Sequence, residues 1–150
     1  MLNGTESPER RTMERKAWKI QLRERLLKFS ISVITLANQL PKSAAGFAIA
    51  NQVIRSGTSI GANIREAQNA QSKSDFIHKL SISQKECDET MYWLELLNQS
   101  GYLSDTEFKL VHNNANELLK MLRSAIITSK NNRVEEQQVI YKKEVISDEL

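Results

Sequence analysis

The stretch that decides the fold is RSGTSIGANIREAQNAQSKSDFIHKL, Arg55–Leu80. It contains two glycines, Gly57 and Gly61, within a pattern that is otherwise helical. A phosphate-binding loop would need a buried strand and then G-x-x-x-x-G-K-[ST], whereas here the glycines are four residues apart and Ala62-Asn63 follows. Two glycines inside a helix each cost about 1 kcal/mol relative to alanine. Close helix packing or a kink is therefore the favoured interpretation of GTSIGAN, ahead of ligand binding.

Apolar residues recur at helical spacing in four segments, and proline occurs only at positions 8 and 41. The first helix is predicted from about Trp18 to Gln39, and the second begins after a cap at Ser43. The third begins after Ser72 or Ser74, and the fourth after the capping box 104–107. The predicted core stripes are Leu22, Leu26, Phe29, Val33, Leu36 and Leu40; Phe47, Ala50, Ile54, Gly57, Gly61 and Ile64; Phe76, Leu80, Ser83, Cys87, Met91 and Leu94; and Phe108, Val111, Ala115, Leu118, Leu122 and Ala125.

Four amphipathic helices with short connections predict an all-α fold, an antiparallel up-down four-helix bundle. We divide the chain into a basic N-terminal extension (1–16), the bundle (17–130) and a polar C-terminal tail (131–150). The tail has no sustained apolar stripe, so we predict that it is disordered. Continuation of the fourth helix, or docking of the tail onto a neighbouring subunit, are the alternatives.

The first helix has a second apolar side, opposite the predicted core stripe. At 100° per residue this side carries four large aliphatic residues. Such a row is uncommon on a monomer, and its burial would favour association, so we predict a homo-oligomer. The alternative is that the tail or long side chains cover it. The candidate oligomer-interface residues are Ile20, Leu27, Ile31 and Ile34.

Positive charge is concentrated near the N-terminus. Residues 1–42 contain nine Lys/Arg and four Asp/Glu, whereas residues 73–103 contain three and five. Cations projecting from the end of a symmetric oligomer would form a positive ring suited to phosphate backbones. A solvated N-terminus is the alternative, and no element for base-specific readout is visible. The candidate nucleic-acid-binding residues are Arg11, Arg15, Lys16, Lys19 and Arg23.

The residues that could carry catalytic or metal chemistry are few. Asp75-x-x-His78 is the nearest match to the Glu-x-x-His motif of metal-binding bundles, and it occurs once. Cys87 lies on a core stripe, where a buried thiol is expected rather than a nucleophile. Arg55, Asn63 and Glu66 fit hydrogen-bonded structural roles better than a ligand site. We therefore expect no catalytic residue, no metal and no cofactor.

The composition fits one compact domain, with 40% hydrophobic and 26% charged residues. The sequence has no apolar run long enough to cross a bilayer, and its N-terminus lacks the apolar region of a secretory signal. Cys87 is the single cysteine, which suits a reducing compartment. We expect a cytoplasmic protein without a membrane partner.

Residues 54–97 contain a specific set of residues: Arg55-Ser56 with Ser59, Ala62-Asn63-Ile64, Glu66-Ala67, Ser74-x-Phe76-Ile77 with Leu80, and Glu86 with Tyr92-Trp93-Leu94. With this set the segment resembles the small bacterial four-helix-bundle proteins encoded by open reading frames in 23S ribosomal RNA intervening sequences. The segment 101–108, GYLSDTEF, resembles the start of that family's last helix, and the whole resemblance covers about residues 17–128.

This resemblance implies an antiparallel bundle that assembles as a ring-like homopentamer and has no known enzymatic activity. A related branch is the accessory variability determinant of diversity-generating retroelements, a basic pentameric barrel that binds reverse transcriptase and nucleic acid. The resemblance assigns the following positions to a structural signature and none to catalysis: Arg55, Gly57, Ser59, Gly61, Asn63 and Glu66.

Three hypotheses for the function remain at this point. The first is a non-enzymatic oligomeric scaffold that binds RNA, DNA or a nucleoprotein such as a reverse transcriptase through its basic surface. The second is a protein-interaction adaptor with no nucleic-acid role. The third, an enzyme or metal-binding bundle, would require metal in the purified protein.

Overall fold

The computed structural model describes residues 7–148, except for the side chains of Arg11, Arg15 and residues 141–148. Within these residues the chain forms four helices and no strand. Consecutive helices pack against each other, and α1 also contacts α4. The prediction of an all-helical chain with four helices is confirmed. The helices are α1 (Pro8–Gln39), α2 (Ala44–Ala67), α3 (Lys73–Gln99) and α4 (Asp105–Asp148).

The starts of α2 and α3 are set by serine caps. Ser43 Oγ accepts a hydrogen bond from the backbone N–H of Gly46 at 3.1 Å. Ser72 Oγ accepts one from Asp75 at 3.0 Å, which selects Ser72 rather than Ser74 as the cap. Each hydroxyl satisfies a backbone donor that has no partner within its helix, so a local signal is enough to fix where the helix begins.

The start of α4 is the predicted capping box. Ser104 Oγ accepts from the Glu107 N–H at 3.3 Å, while the Glu107 carboxylate accepts from the Ser104 N–H at 3.0 Å. The hydrogen bonds from Ser104 lower the pKa of Glu107, since they favour its charged form. Gly101, at φ 76°, adopts the left-handed conformation that allows the turn between α3 and α4.

The core follows the predicted stripes in α1, α3 and α4. All six stripe residues of α1 are buried, as are Leu80, Ser83, Cys87 and Leu94 of α3 and Val111, Ala115, Leu118 and Leu122 of α4.

In α2 the predicted stripe is partly wrong. Val53 and Ile60 are completely buried, whereas Phe47 is 59% exposed. Phe47 precedes Val53 by six residues, which rotates it about 120° around the helix and away from the core. The sequence pattern allowed either side, and packing against α1 and α3 selected the side with Val53.

The two glycines of α2 have different neighbours. A Cβ added at Gly57 would lie 2.8 Å from Val33 Cγ1 of α1, and Val33 is completely buried. A Cβ added at Gly61 would meet only Leu26 Cβ at 3.6 Å and Ser30 Oγ at 3.8 Å, which are ordinary contacts. Residues 44–67 form one continuous helix, so GTSIGAN is helix and not a loop. Gly57 is required for helix packing, and Gly61 is not required by its own chain.

The helices at both ends of the chain are longer than predicted. Helix α1 begins at Pro8, ten residues before Trp18, with Ser7 as its cap. Proline is well accepted there because the first turn of a helix needs no N–H donor from it. Residues 8–16, predicted as an extension of the bundle, are therefore the first part of α1.

The C-terminal tail is a second correction. Helix α4 continues to Asp148, so residues 131–148 are helical where we predicted disorder. This segment contains no glycine or proline and is rich in Glu, Gln and Lys, which favour helix. An apolar stripe is needed for packing onto the bundle but not for the backbone to continue as helix, and its absence misled the prediction.

Replacing each glycine of α2 by alanine tests this packing. Gly57→Ala should be less stable than Gly61→Ala by about 2 kcal/mol, because overpacking against the stiff Val33 side chain costs about 2 kcal/mol while both variants gain about 1 kcal/mol of helix propensity. Urea unfolding followed by circular dichroism gives both free energies. Equal stability of the two variants would contradict the assigned contact.

Candidate interaction surfaces

The first part of α1 is a basic surface. Residues 8–28 contain eight Lys/Arg and three Glu. Lys16, Lys19 and Arg23 are exposed and, being spaced three and four residues apart, share one side of the helix. The side chains of Arg11 and Arg15 lie outside the described residues. Three of the five predicted nucleic-acid-binding residues thus form one exposed row on α1.

The second apolar side of α1 is exposed. Ile20, Leu27, Ile31 and Ile34 are 50%, 65%, 54% and 42% accessible. The alternative that the C-terminal tail covers this row does not hold for the described part of the chain, because residues 131–148 continue along α4 instead. We call these four residues the outer face of α1. Its exposure agrees with the second apolar side that the helical spacing of α1 predicted.

A groove between α1 and α2 adjoins the outer face of α1. It encloses about 360 Å³ and shares Leu27 with that face. Sequence reasoning did not find it, because it is formed by two helices together. The only sequence signal for the groove was the group of small residues Thr58, Gly61 and Ala62 on one side of α2, which all line it. Its other lining residues include Arg23 and Ser30 of α1 and Arg65 of α2.

The signature residue Arg55 links α2 to α3. Its guanidinium pairs with Glu89 and lies 3.7 Å from the Glu86 carboxylate. The Trp93 indole N–H donates to Glu89 at 3.2 Å, so one carboxylate joins both helices. These contacts bring the guanidinium of α2 and two carboxylates of α3 together where the two helices pack.

The other polar signature residues also make contacts within α2 or to α3. Ser59 Oγ donates to the carbonyl of Arg55 at 2.6 Å, and Asn63 Nδ2 donates to the carbonyl of Ser59 at 2.9 Å. Glu66 accepts from Lys79 of α3, and this hydrogen bond raises the pKa of Lys79. The hydrogen bonds of Ser59 and Asn63 stay within α2, and Glu66 is the one of the three that links α2 to α3.

Buried hydroxyl groups connect the same two helices inside the core. Ser83 Oγ of α3 donates to the carbonyl of Ile60 at 2.7 Å. Thr90 Oγ1 of α3 lies 2.9 Å from Ser56 Oγ of α2. All three hydroxyl residues are completely buried, so each needs such a partner to avoid an unpaired polar group. Ser83 was on the predicted stripe, but Ser56 and Thr90 were missed because their pairing depends on the register of two helices.

The groups with potential for chemistry are separated from each other. Across the described residues, no group of three or more His, Cys, Asp or Glu side chains could hold a metal ion. His112 Nε2 lies 3.2 Å from Glu95, and His78 is exposed on α3. Cys87 is completely buried, and burial raises the pKa of its thiol to about 12. Its Sγ lies 3.2 Å from the carbonyl of Ala115.

Comparison with known proteins gives a family and a related structure. The family model described as "23S rRNA-intervening sequence protein" matches residues 19–124. A crystal structure of a protein of unknown function from the S23 ribosomal protein family of Bacteroides thetaiotaomicron is 43% identical, with a TM-score of 0.67. The alignment covers 70% of this chain and 97% of that one. No curated protein matches the sequence.

None of the helices within residues 7–148 has the length and apolar character needed to cross a membrane.

The buried thiol gives a direct test of the core. A pKa of about 12, compared with 9.0 for a free thiol, leaves roughly a thousandfold less thiolate at pH 8. We therefore expect the native protein to react with Ellman's reagent at least about a thousandfold more slowly than the guanidinium-unfolded protein. Equal rates in the two states would show that Cys87 is accessible and reactive.

Proposed function

The chain belongs to the family of 23S rRNA-intervening sequence proteins, and on this premise we propose that it is a non-enzymatic scaffold that assembles into a ring-like homo-oligomer and binds RNA or DNA. The observation that carries the proposal is the exposed outer face of α1, next to a row of cations on the same helix. The apolar side chains favour association between copies, and the cations favour a polyanionic partner.

We infer that the bundle is antiparallel, with its helices running alternately up and down. Gly57 of α2 faces Val33 of α1, and Gly61, four residues later, faces Leu26, which lies earlier in α1. Likewise Ser56 of α2 meets Thr90 of α3, while Ile60 meets Ser83. In both pairs of helices a later residue on one lies beside an earlier residue on the other. The loops of α2–α3 and α3–α4 are short enough for this arrangement.

Assembly follows from the physics of the exposed row. Each buried Å² of apolar surface contributes about 25 cal/mol, and the outer face of α1 offers four large aliphatic side chains on one rigid helix. Closed rotational symmetry is the usual outcome for a soluble homo-oligomer, because it leaves no copy with an unpaired face. We propose a pentamer, the stoichiometry that the family resemblance implies.

Nucleic-acid binding follows from repeating the cations around such a ring. Lys16, Lys19 and Arg23 lie on the first part of α1, and every copy in the ring would add the same exposed row. Phosphate contacts of this kind give affinity without base specificity. The partner would thus be structured RNA, duplex DNA or a nucleoprotein, such as a reverse transcriptase bound to its nucleic acid.

A protein-interaction adaptor is the second candidate function. Tyr92, which is 56% exposed, and the exposed side chain of Phe47 offer aromatic contacts on helix surfaces away from the basic row. In both candidates Cys87 has no role as a nucleophile, because its side chain is completely buried in the core. The two candidates differ in one measurable property: the scaffold should bind nucleic acid with an affinity that falls with salt, and the adaptor should not bind it.

Lysine substitutions on the outer face of α1 test the assembly. Leu27→Lys with Ile31→Lys should dissociate the oligomer, because two charges would be buried in the contact. Light scattering after size exclusion measures the mass. Leu110→Lys with Tyr92→Lys is the matched control, since those residues are 66% and 56% exposed on other helices. An unchanged mass for the α1 variant would refute this interface.

Charge reversal on the basic row tests nucleic-acid binding. Lys16→Glu with Lys19→Glu should weaken binding to labelled RNA and duplex DNA, and should reduce the slope of log affinity against log salt by about one unit per lost contact. Fluorescence anisotropy across a salt series measures both. Lys85→Glu with Lys109→Glu changes the net charge equally at exposed positions of α3 and α4.

The adaptor function would be favoured if the wild-type protein fails to bind nucleic acid even at low salt. Equal losses in the basic-row variant and its control would mean that binding follows overall charge and not this row. Light scattering must show the same oligomer mass for the basic-row variant and its control as for the wild type.

A further inference from the structure

We propose that the groove between α1 and α2 is occupied in the assembled protein by the C-terminal segment of α4 from a second copy of this chain. The inference rests on the proposed self-association and identifies the two surfaces that meet. It joins two features that neither the core nor the basic row explains: an apolar groove, and a helical segment that extends beyond its own bundle.

The groove is built to receive a helix. Leu27 and Ile64 supply apolar lining, while Ser30 and Ala62 are small, so a neighbouring helix could approach both walls closely. Gly61 also lines the groove, and nothing in its own chain requires a glycine there, since an added Cβ would meet only ordinary contacts. Recognition by helix insertion uses grooves of this kind, with apolar anchors at helical spacing on the inserted helix.

The C-terminal part of α4 extends far enough beyond its own bundle to be the occupant. Lys73 Nζ at the start of α3 lies 2.8 Å from Glu136 Oε1, and Arg133 Nη1 lies 3.2 Å from Ser74 Oγ. The start of α3 is therefore beside residues 133–136. Residues 137–148 continue past that point for about 18 Å at 1.5 Å per residue.

This part of α4 carries apolar side chains that its own bundle leaves exposed. Val139 and Ile140 of the extending segment are 52% and 56% accessible, and Val134, just before it, is 52% accessible. A single helix segment of about twelve residues is only marginally stable in water without packing. A second helical surface that covers these side chains would stabilise it.

Charge favours pairing between this segment and the groove. The groove has exposed arginines on both helices, Arg23 and Arg65, and one lining carboxylate, Glu24. The segment 134–140, VEEQQVI, contains Glu135 and Glu136 and no Lys or Arg, and Lys142 and Lys143 follow it. Glu136 pairs with Lys73 of its own chain, so Glu135 is the carboxylate left for the groove arginines. Complementary charges at the edge of an apolar contact select the partner and its register.

The occupant must come from another copy. Helix α4 contacts α3 and α1 but makes no contact with α2 among the described residues, whereas the groove lies between α1 and α2. A contact that joins the groove of one copy to the α4 segment of the next uses two different surfaces. Repetition of such a contact closes into a ring when the rotation permits, which fits the ring-like assembly proposed above.

Site-directed cross-linking tests the contact in the full-length chain. One copy carries Ala62→Cys in the groove, and a second, differently tagged copy carries Val134→Cys or Val139→Cys. The native Cys87 does not interfere, because it is buried and its pKa is raised to about 12. The control replaces the α4 variant by Asp88→Cys, at an exposed position of α3. The two copies are co-expressed, purified through both tags and treated with a short bismaleimide.

We expect the mixed cross-linked dimer from at least one α4 variant to exceed that of the Asp88→Cys control by about tenfold. If the protein assembles but neither α4 variant exceeds the control, the groove has another occupant and this inference is wrong, while the scaffold proposal stands. If light scattering shows a monomer at all concentrations, the self-association itself fails.

A charge variant in the groove gives an independent measurement. Ala62→Glu should weaken assembly at least tenfold in dissociation constant, because it would face the acidic segment 134–140, whereas Ala62→Gln has nearly the same size without the charge. Circular dichroism melting verifies that both variants fold. Equal weakening by Glu and Gln would overturn the charge argument, and no weakening by either would overturn the contact.

Discussion

The close approach of α2 to α1 at Gly57 is the constraint on which the rest of the structure depends. Only a residue without Cβ leaves room for the completely buried Val33 at this point. With α2 held there, its other side meets α3, where Ser83 binds the carbonyl of Ile60 and Thr90 meets Ser56. Helix α2 thus packs against α1 on one side and against α3 on the other.

Gly61, one helical turn after Gly57, has a different effect on the packing of α1 against α2. Opposite Gly57 stands the branched Val33, which fills the space, whereas opposite Gly61 stand Leu26 and Ser30, whose nearest atoms would leave room for a Cβ. A groove therefore opens between α1 and α2, next to the outer face of α1. Gly57 allows α1 and α2 to pack closely, and Gly61 lines the groove proposed to bind a partner. The fold and the proposed assembly therefore both depend on the small residues of α2.

The long outer helices relate this surface to function. Helix α1 begins at Pro8 and α4 ends at Asp148, so both extend well beyond the 24 residues of α2. The extension of α1 bears the cations, and the extension of α4 bears exposed aliphatic residues and carboxylates. The proposed assembly surfaces adjoin the basic row on α1, and Arg23 belongs both to that row and to the groove. Lys16 and Lys19 lie outside the groove lining, so substitutions there test polyanion binding separately from the groove contact.

The sequence by itself determined the helices, their caps and most of the core, because these depend on neighbours within about four residues. Ser43, Ser72 and the capping box at Ser104 are local hydrogen-bonding signals, and apolar spacing alone identified the buried side of α1 and its exposed opposite face. Only the tertiary structure decided that Phe47 is exposed, that Gly57 and Gly61 differ, and that a groove exists. Those features depend on which side chain of another helix lies opposite, and the register between helices is set by packing over the whole bundle.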